Sequence, residues 1–371
     1  MATQQQNIGE VLQFFNEARR PVKSSDRVPG PFPYLGASGT VDYVEGFTHE
    51  GSYLCVSEDG ANLLTRSLPI AWVQDGKFWA NNHLQVLGGV SREHLTFFRY
   101  AIESTNIAAY VTGSAQPKLS KASLSSVKVP KFSRGEEERI GKLLSAIDDK
   151  TVANQTSISK IDEILRALWQ KELSLGSIDV PLSSLASFIN GKAFTKGASG
   201  TGRVVVRIAE MNSGIGSRTI YSDIDAAPDN VVDPGELLFS WSGTLMTKRW
   251  PYDQAIVNQH IFKAVPNGQL DLWALRQAID AQLEYFQMIA AGKATTMGHI
   301  KRGDLDQEVE VPAQMSEETN QLGNSLWRLA TSLEIQNLQL ARTRDELLPL
   351  LMSGRITVGE AEDAADEAAS E

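Results

Sequence analysis

The stretch "GASGTG" at 197–202 is the nearest this chain comes to a phosphate-cradling loop. A nucleotide loop of the form G-x-x-x-x-G-K-[ST] supplies backbone N–H groups, a lysine for the phosphates and a hydroxyl for Mg2+. Here the glycines are followed by Arg203 and Val204, so the lysine and hydroxyl are missing. The five histidines are His49, His83, His94, His260 and His299, and none lies at the short spacing that brings two imidazoles to one metal. Cys55 is the single cysteine, so an internal disulfide and a thiolate cluster are both excluded. No Asn/Asp-Pro-Pro-aromatic segment is present to hold a target amine for methyl transfer. Carboxylates are plentiful, but no pair stands apart from surface charge. A chain of 371 residues with none of these signatures points to binding rather than turnover.

The elements that would position a binding surface come in two copies, and internal repeats decide the architecture before anything else. "NNHLQVLGG" carries His83, and "VNQHIFKAV" carries His260. Each is followed by an apolar-periodic stretch, "FFRYAIESTNIAAY" and "LWALRQAIDAQLEYF", whose Ala-Ile pairs keep the offset of the two histidines. A glycine follows each, Gly113 and Gly292, and then a short strand closed by Pro130 or Pro312. After each proline a long helix is predicted. Ile140, Leu144, Ile147, Thr151, Asn154, Ile158, Ile161, Leu165 and Leu168 alternate steps of four and three, which is a coiled-coil seam. Leu322, Leu326, Leu329, Leu333, Gln336, Leu340, Thr343, Leu347 and Leu350 repeat that register. "DEILRALWQK" and "DELLPLLMSG" are the ends of these helices. Upstream of each lies a module of short strands broken by Gly, Pro, Asp and Asn turns. The pattern predicts two α+β modules, two partnered helices and an internal pseudo-two-fold.

Composition fits a protein with ordinary cores, at 42% hydrophobic and 22% charged residues. The length allows two or three domains. The net charge of −10 argues against a uniformly basic nucleic-acid binder. Much of the acidity sits in "GEAEDAADEAASE" from Gly359, a stretch expected to be solvated and disordered. No apolar run approaches the ~18 residues of a membrane span. The first residues lack a basic, then apolar, leader pattern, so a cytoplasmic location is the default.

Several segments together resemble the specificity subunit of a type I DNA restriction-modification system. They are "GKFWANNHLQVL" (76–87), "FINGKAF" (188–194), "GELLFSWSGT" (235–244), "VNQHIFKAV" (257–265) and "RDELLPLLMSG" (344–354). With the repeated strand-proline-helix order, the resemblance covers residues 7 to 356. It implies target recognition domains at 1–133 and 176–314. It implies antiparallel spacer helices at 134–175 and 315–355, leaving an acidic tail at 356–371. Each module would read one half of a split, asymmetric sequence in double-stranded DNA, with the helices as a ruler. Two methyltransferase subunits carrying S-adenosylmethionine would dock on the chain, and motor-nuclease subunits would join for restriction. The chain itself would bind no cofactor and catalyse nothing. It departs from the common pattern in starting its first module almost at once, which leaves the closure of the pseudo-symmetric assembly near the N-terminus open.

On that reading, Lys and Arg should meet phosphates, and polar side chains should meet base edges. The candidates are Arg66, Lys77, Lys118 and Lys121 in the first module. In the second they are Lys192, Lys196, Arg203, Lys248, Arg249 and Lys293, with Ser242 and Thr244 in a polar loop. Ser38 and Thr40 are polar loop candidates of the first module, and all four polar residues are weaker candidates than the basic ones. A plain solvated charge is the competing account of each. Asn82-His83 and Gln259-His260 are either base readers or buried hydrogen-bonding groups between strand and helix. Their recurrence in both modules favours the buried role, because base readers should differ. Tyr34, Trp79 and Trp241 either stack on bases or fill the core. Asn154 and Gln336 occupy equivalent seam positions near the helix centres, where two facing amides would lock the register. The competing class of protein is a coiled-coil scaffold whose modules bind protein; an enzyme with a cryptic site is a further alternative.

Overall fold

The computed structural model describes residues 4–292, 298–361 and 363, and Lys293 lies outside them. Two units emerge: residues 1–151 with 339–371, and residues 152–338. Each contains one module and part of both long helices.

The two modules have the same topology. In the first unit a four-stranded sheet runs in the order Gln13–Phe14, Leu84–Gly88, Tyr53–Ser57, Ala71–Gln74. In the second the corresponding order is Ala186–Asn190, Ile261–Pro266, Leu237–Ser240, Met246–Arg249. A second sheet is also duplicated, with Pro29–Gly36 parallel to Lys77–Ala80 and Arg203–Val206 parallel to Ala255–Val257. A third, two-stranded sheet pairs Gln5–Asn7 with Lys128–Pro130, and Ser177–Pro181 with Glu308–Pro312. The alternation of side chains along a strand explains why the central strands are buried on both faces. Leu54 and Val56 join the core that contains the module helix Arg92–Ser104, while Cys55 points to a second core with Phe78 and Val86. Leu237 and Phe239 likewise face the core of the helix Leu272–Gly292, and Leu238 faces the other.

The central helix spans Arg134–Leu175 and the distal helix Glu317–Met352. Both are part of the module cores. Ile140 and Leu144 share one core with Leu347, Leu351 and Met352, together with Ile8 and Leu12 from the first residues of the chain. Ile161, Leu165 and Trp169 share another with Trp327 and Ala330. Glycine permits a close approach of a long helix to the module helix in each unit. A Cβ on Gly141 would lie 1.9 Å from the Glu93 carbonyl oxygen, and one on Gly323 would lie 2.3 Å from the Trp273 ring. Equivalent arginines tie each module helix to the central helix: Arg99 pairs with Asp148, and Arg276 with Asp162 at 3.2 Å. In the second unit the pairing direction is antiparallel, because Asn154 meets Gln336 while Glu172 meets Ser316 and Thr319.

Two expectations are corrected here. Leu322 and Leu329, placed on the seam, are 46% and 49% exposed. The distal helix turns Gly323, Trp327 and Ala330 inward instead, since a large indole and its glycine partner claim the buried stripe. The stretch from residue 356, expected to be disordered, is ordered as far as Ala361, and the rest of the expected tail apart from Asp363 lies outside the described residues. Ile356 and Val358 pack on the first unit's core, Ala361 is fully buried in it, and Thr357 and Glu360 cap the turn reciprocally.

Candidate nucleic-acid interface

The histidine turns lie at the same end of each main sheet, but the expectation that they are buried between strand and helix is wrong. Asn82, His83 and Gln259 are exposed and His260 is half-buried. The buried amides are their neighbours Asn81 and Asn258. Asn81 Oδ1 accepts from the His83 N–H at 2.8 Å, and Asn258 Oδ1 accepts from the Phe194 N–H at 3.0 Å. Asn81 ties its own turn from beneath, whereas Asn258 fastens the neighbouring loop at Phe194, and the residues of both turns face outward. His260 holds φ +76, a left-handed conformation that is unfavourable for a side chain of its size.

A repeated backbone cradle surrounds each turn. The Glu58 N–H donates to the His83 carbonyl at 2.9 Å, and the Glu58 carbonyl accepts from Leu119 at 2.7 Å. The Trp241 N–H donates to the His260 carbonyl at 3.0 Å, and the Trp241 carbonyl accepts from Ile300 at 3.0 Å. Gly60 and Gly243 complete the match by donating to Pro117 and Gly298, both at 3.0 Å. The backbone is therefore equivalent, while the side chains are not. In the first module, nearly buried Glu58 is held by Arg19 at 2.6 Å and Lys118 at 3.2 Å, and Asp59 pairs with His83 at 2.6 Å. In the second, Trp241 packs on the His260 ring at 4.8 Å and donates from Nε1 to Asn190 Oδ1 at 2.8 Å.

The basic candidates divide by what holds them. Lys118 belongs to the first cradle. Lys121 is exposed with its ammonium 5.3 Å above the Phe14 ring. Lys77 is exposed, 3.7 Å from Glu50 and 4.6 Å above Phe47. Arg66 is corrected: its guanidinium meets the Glu103 carbonyl at 2.6 Å and the Glu103 carboxylate at 3.1 Å, so it caps the C-terminus of the module helix. In the second module Lys192 and Lys196 are exposed, and the Lys192 carbonyl accepts from the Gln259 N–H at 2.9 Å, beside the histidine turn. Arg203 is farther along the sheet, bonded to Gln254 at 3.1 Å and the Ile224 carbonyl at 3.0 Å. Lys248 is half-buried on its strand.

Arg249 is also corrected. Its side chain is 2% exposed, paired with Glu334 at 2.8 Å and lying 4.7 Å from the centre of the Trp327 ring. Removal of a guanidinium from water requires such partners, and they leave it no access to a phosphate. Ser242 is buried with its backbone bridged to His299, whereas Thr244 is exposed. Ser38 and Thr40 are exposed at a hairpin tip. Tyr34 is core: it is 1% exposed, and its hydroxyl accepts from the Val22 N–H at 2.9 Å. Trp79 donates to the Arg20 carbonyl at 2.7 Å.

The sequence reading missed Arg19, Glu58, Lys301 and Arg302. The last two follow Ile300 just as Ser120 and Lys121 follow Leu119. Carrying the repeat through the loop after each module helix would have marked them.

A duplicated α+β protein with one long-helix segment pair in each unit and two differently equipped turn corners is the class that this architecture defines. Residues 3–163 match the family model described as type I restriction modification DNA specificity domain. A Haemophilus influenzae protein that carries the name of a type I restriction enzyme specificity subunit is 39% identical over 140 residues. That alignment covers 38% of this chain and 36% of the relative. The crystal structure of a type I restriction-modification S subunit from M. genitalium superposes with a TM-score of 0.64 at 14% identity, covering 94% of this chain and 95% of that one. Residues 3–163 thus carry the likeness to the DNA specificity domain, and the fold of the chain is that of the solved S subunit.

Proposed function

We propose that this chain reads a bipartite, asymmetric sequence in double-stranded DNA and catalyses nothing itself. The observation that carries this is the pair of backbone-identical cradles bearing different side chains, a carboxylate cluster at Glu58 and an indole at Trp241. Equivalent frames with different contents suit two readers of two different half-sites. Lys77, Lys118, Lys121, Lys192, Lys196, Arg203 and Lys248 supply phosphate contacts in this reading, and Thr244 a polar one. Lys293, outside the described residues, is counted with them because it stands beside Gly292 in the sequence. The helices hold the readers at a set spacing, and docked methyltransferase subunits bring S-adenosylmethionine, with motor-nuclease subunits added for restriction. No described helix is long and apolar enough to cross a membrane. Co-expression with the cognate methyltransferase, followed by mapping of methylated adenines, tests the reading. A split motif with two unlike halves is expected. Methylation without a split motif, or binding that ignores salt, would favour a protein-binding scaffold.

A further inference from the structure

The corner around Trp241 is more than a packing detail. Asn190, Trp241, Phe262, His299, Lys301 and Arg302 surround, with Ile300, a cavity of about 380 Å3. This is within the size range of sites that take small planar ligands. Its inner surface is aromatic. Phe262 is 5.9 Å and His299 6.4 Å from the Trp241 ring. Its rim is cationic, because Lys301 and Arg302 are exposed. The indole is fixed in orientation by its bond to Asn190. Behind it, His260 is held at positive φ and its Nδ1 is buried with no hydrogen-bond partner among the described residues. Backbone strain and an unsatisfied buried nitrogen both cost free energy, and they persist where a site needs a particular shape.

The first module shows what the same position looks like without this pocket. Glu58 replaces Trp241, Lys118 replaces His299, and Arg19 compensates the charge. The charged cluster and the aromatic pocket are alternatives built on one backbone.

Resting on the functional reading above, we infer that the Trp241 pocket is the base-discriminating site of the second module. It takes one nucleotide of the target strand, with the base or sugar against the indole and the adjacent phosphate against Lys301 and Arg302. The Glu58 cluster marks the corresponding position of the first module, so this corner is where the two half-sites are told apart. The indole holds whatever lies against it without choosing among bases, and the choice falls to the polar groups of Asn190 and His299 that line the same pocket and can meet base edges.

The test uses the full chain co-expressed with its methyltransferase, with methylation mapped for wild type, Trp241→Ala, Trp241→Phe, and Lys301→Ala with Arg302→Ala. Trp241→Ala, by removing the surface that holds the nucleotide against those base-edge groups, is expected to relax at least one position of one half-site by roughly tenfold, with the other half-site unchanged. Trp241→Phe should restore most of the discrimination. The exposed double variant should keep the motif and lower the slope of log affinity against log salt by about 0.9 per cation removed. If Trp241→Ala prevents folding, Trp241→Phe and the double variant decide. Wild-type motif strength in every folded variant, with an unaltered salt slope, overturns the inference and leaves the functional reading standing. A wild-type chain that directs no split-motif methylation overturns the functional reading instead.

Discussion

Lys192 and Arg249 look alike in the sequence as basic residues in the second module, and their surroundings separate them. Lys192 is exposed beside the histidine turn, while Arg249 is locked between Glu334 and Trp327 with Asp162 3.6 Å away. Lys192→Ala should therefore lower the slope of log affinity against log salt by about 0.9, the share of one phosphate contact. Fold stability should stay within about 0.5 kcal/mol, as for an exposed site. Arg249→Ala should do the reverse. It strands the Glu334 carboxylate, since Asp162 keeps Arg276, and breaking a buried pair costs roughly 3 kcal/mol. DNA binding as a function of salt, with urea unfolding of the same variants, measures both quantities. Equal salt slopes for Lys192→Ala and wild type would return Lys192 to inert surface.

At the scale of the helices, the polar seam residues do meet. Asn154 Nδ2 donates to Gln336 Oε1 at 2.8 Å and to Asn337 Oδ1 at 2.9 Å, so the lock has a third member beyond the expected pair. A slip of the helices would leave these amides against apolar neighbours, at about 1–3 kcal/mol for each unsatisfied group. Asn154→Leu with Gln336→Leu should keep or raise the melting temperature while loosening the preference for one spacer length between half-sites. Unchanged spacer strictness in the double variant would defeat the register role. The start of the distal helix is fastened differently. Buried Glu172 of the central helix accepts from Thr319 Oγ1 at 2.7 Å, and from the Ser316 N–H and hydroxyl, both at 3.0 Å. The Thr319 hydrogen bond, with those from Ser316, holds the Glu172 carboxyl below its usual 4.5. A depressed folded-state value means the unfolded chain binds the proton more readily. The stabilisation is thus complete above about pH 4.5 and is lost as pH falls through the lower folded value. Glu172→Gln should lower stability at pH 7 and flatten its dependence below pH 4.5. A wild-type acid limb that persists in this variant would assign the titration elsewhere.

For the whole molecule, three sheets are duplicated in the same strand order, so each module carries its own full set, and in the proposed reading each serves one half-site. Replacing 176–314 with the corresponding module of a related protein should change one half of the target and preserve the other. Methylation mapping of the chimera reads this directly. Simultaneous change of both halves would mean that the modules do not read independently.

The sequence by itself determined the duplication, the two long helices and the place of the amide lock. All three are periodic or local: motif order, four-three steps and one polar residue per seam can be seen without knowing what lies across the fold. Even the turn asparagines were within reach, since "NNH" and "NQH" put an Asx residue where a turn must be fastened. Only the tertiary structure decided which way the individual side chains face. Leu322 and Leu329 read as seam but point outward, because Trp273, distant in sequence, seats against Gly323 and the helix's own Trp327 and Ala330 take the buried side. Arg66 and Arg249 read as free cations until Glu103 and Glu334 are brought to them. Glu58 and Trp241 share no local pattern. They become equivalent only when the histidine turn and the loop beyond the module helix close on each from opposite sides, through backbone bonds between residues that propensity cannot relate.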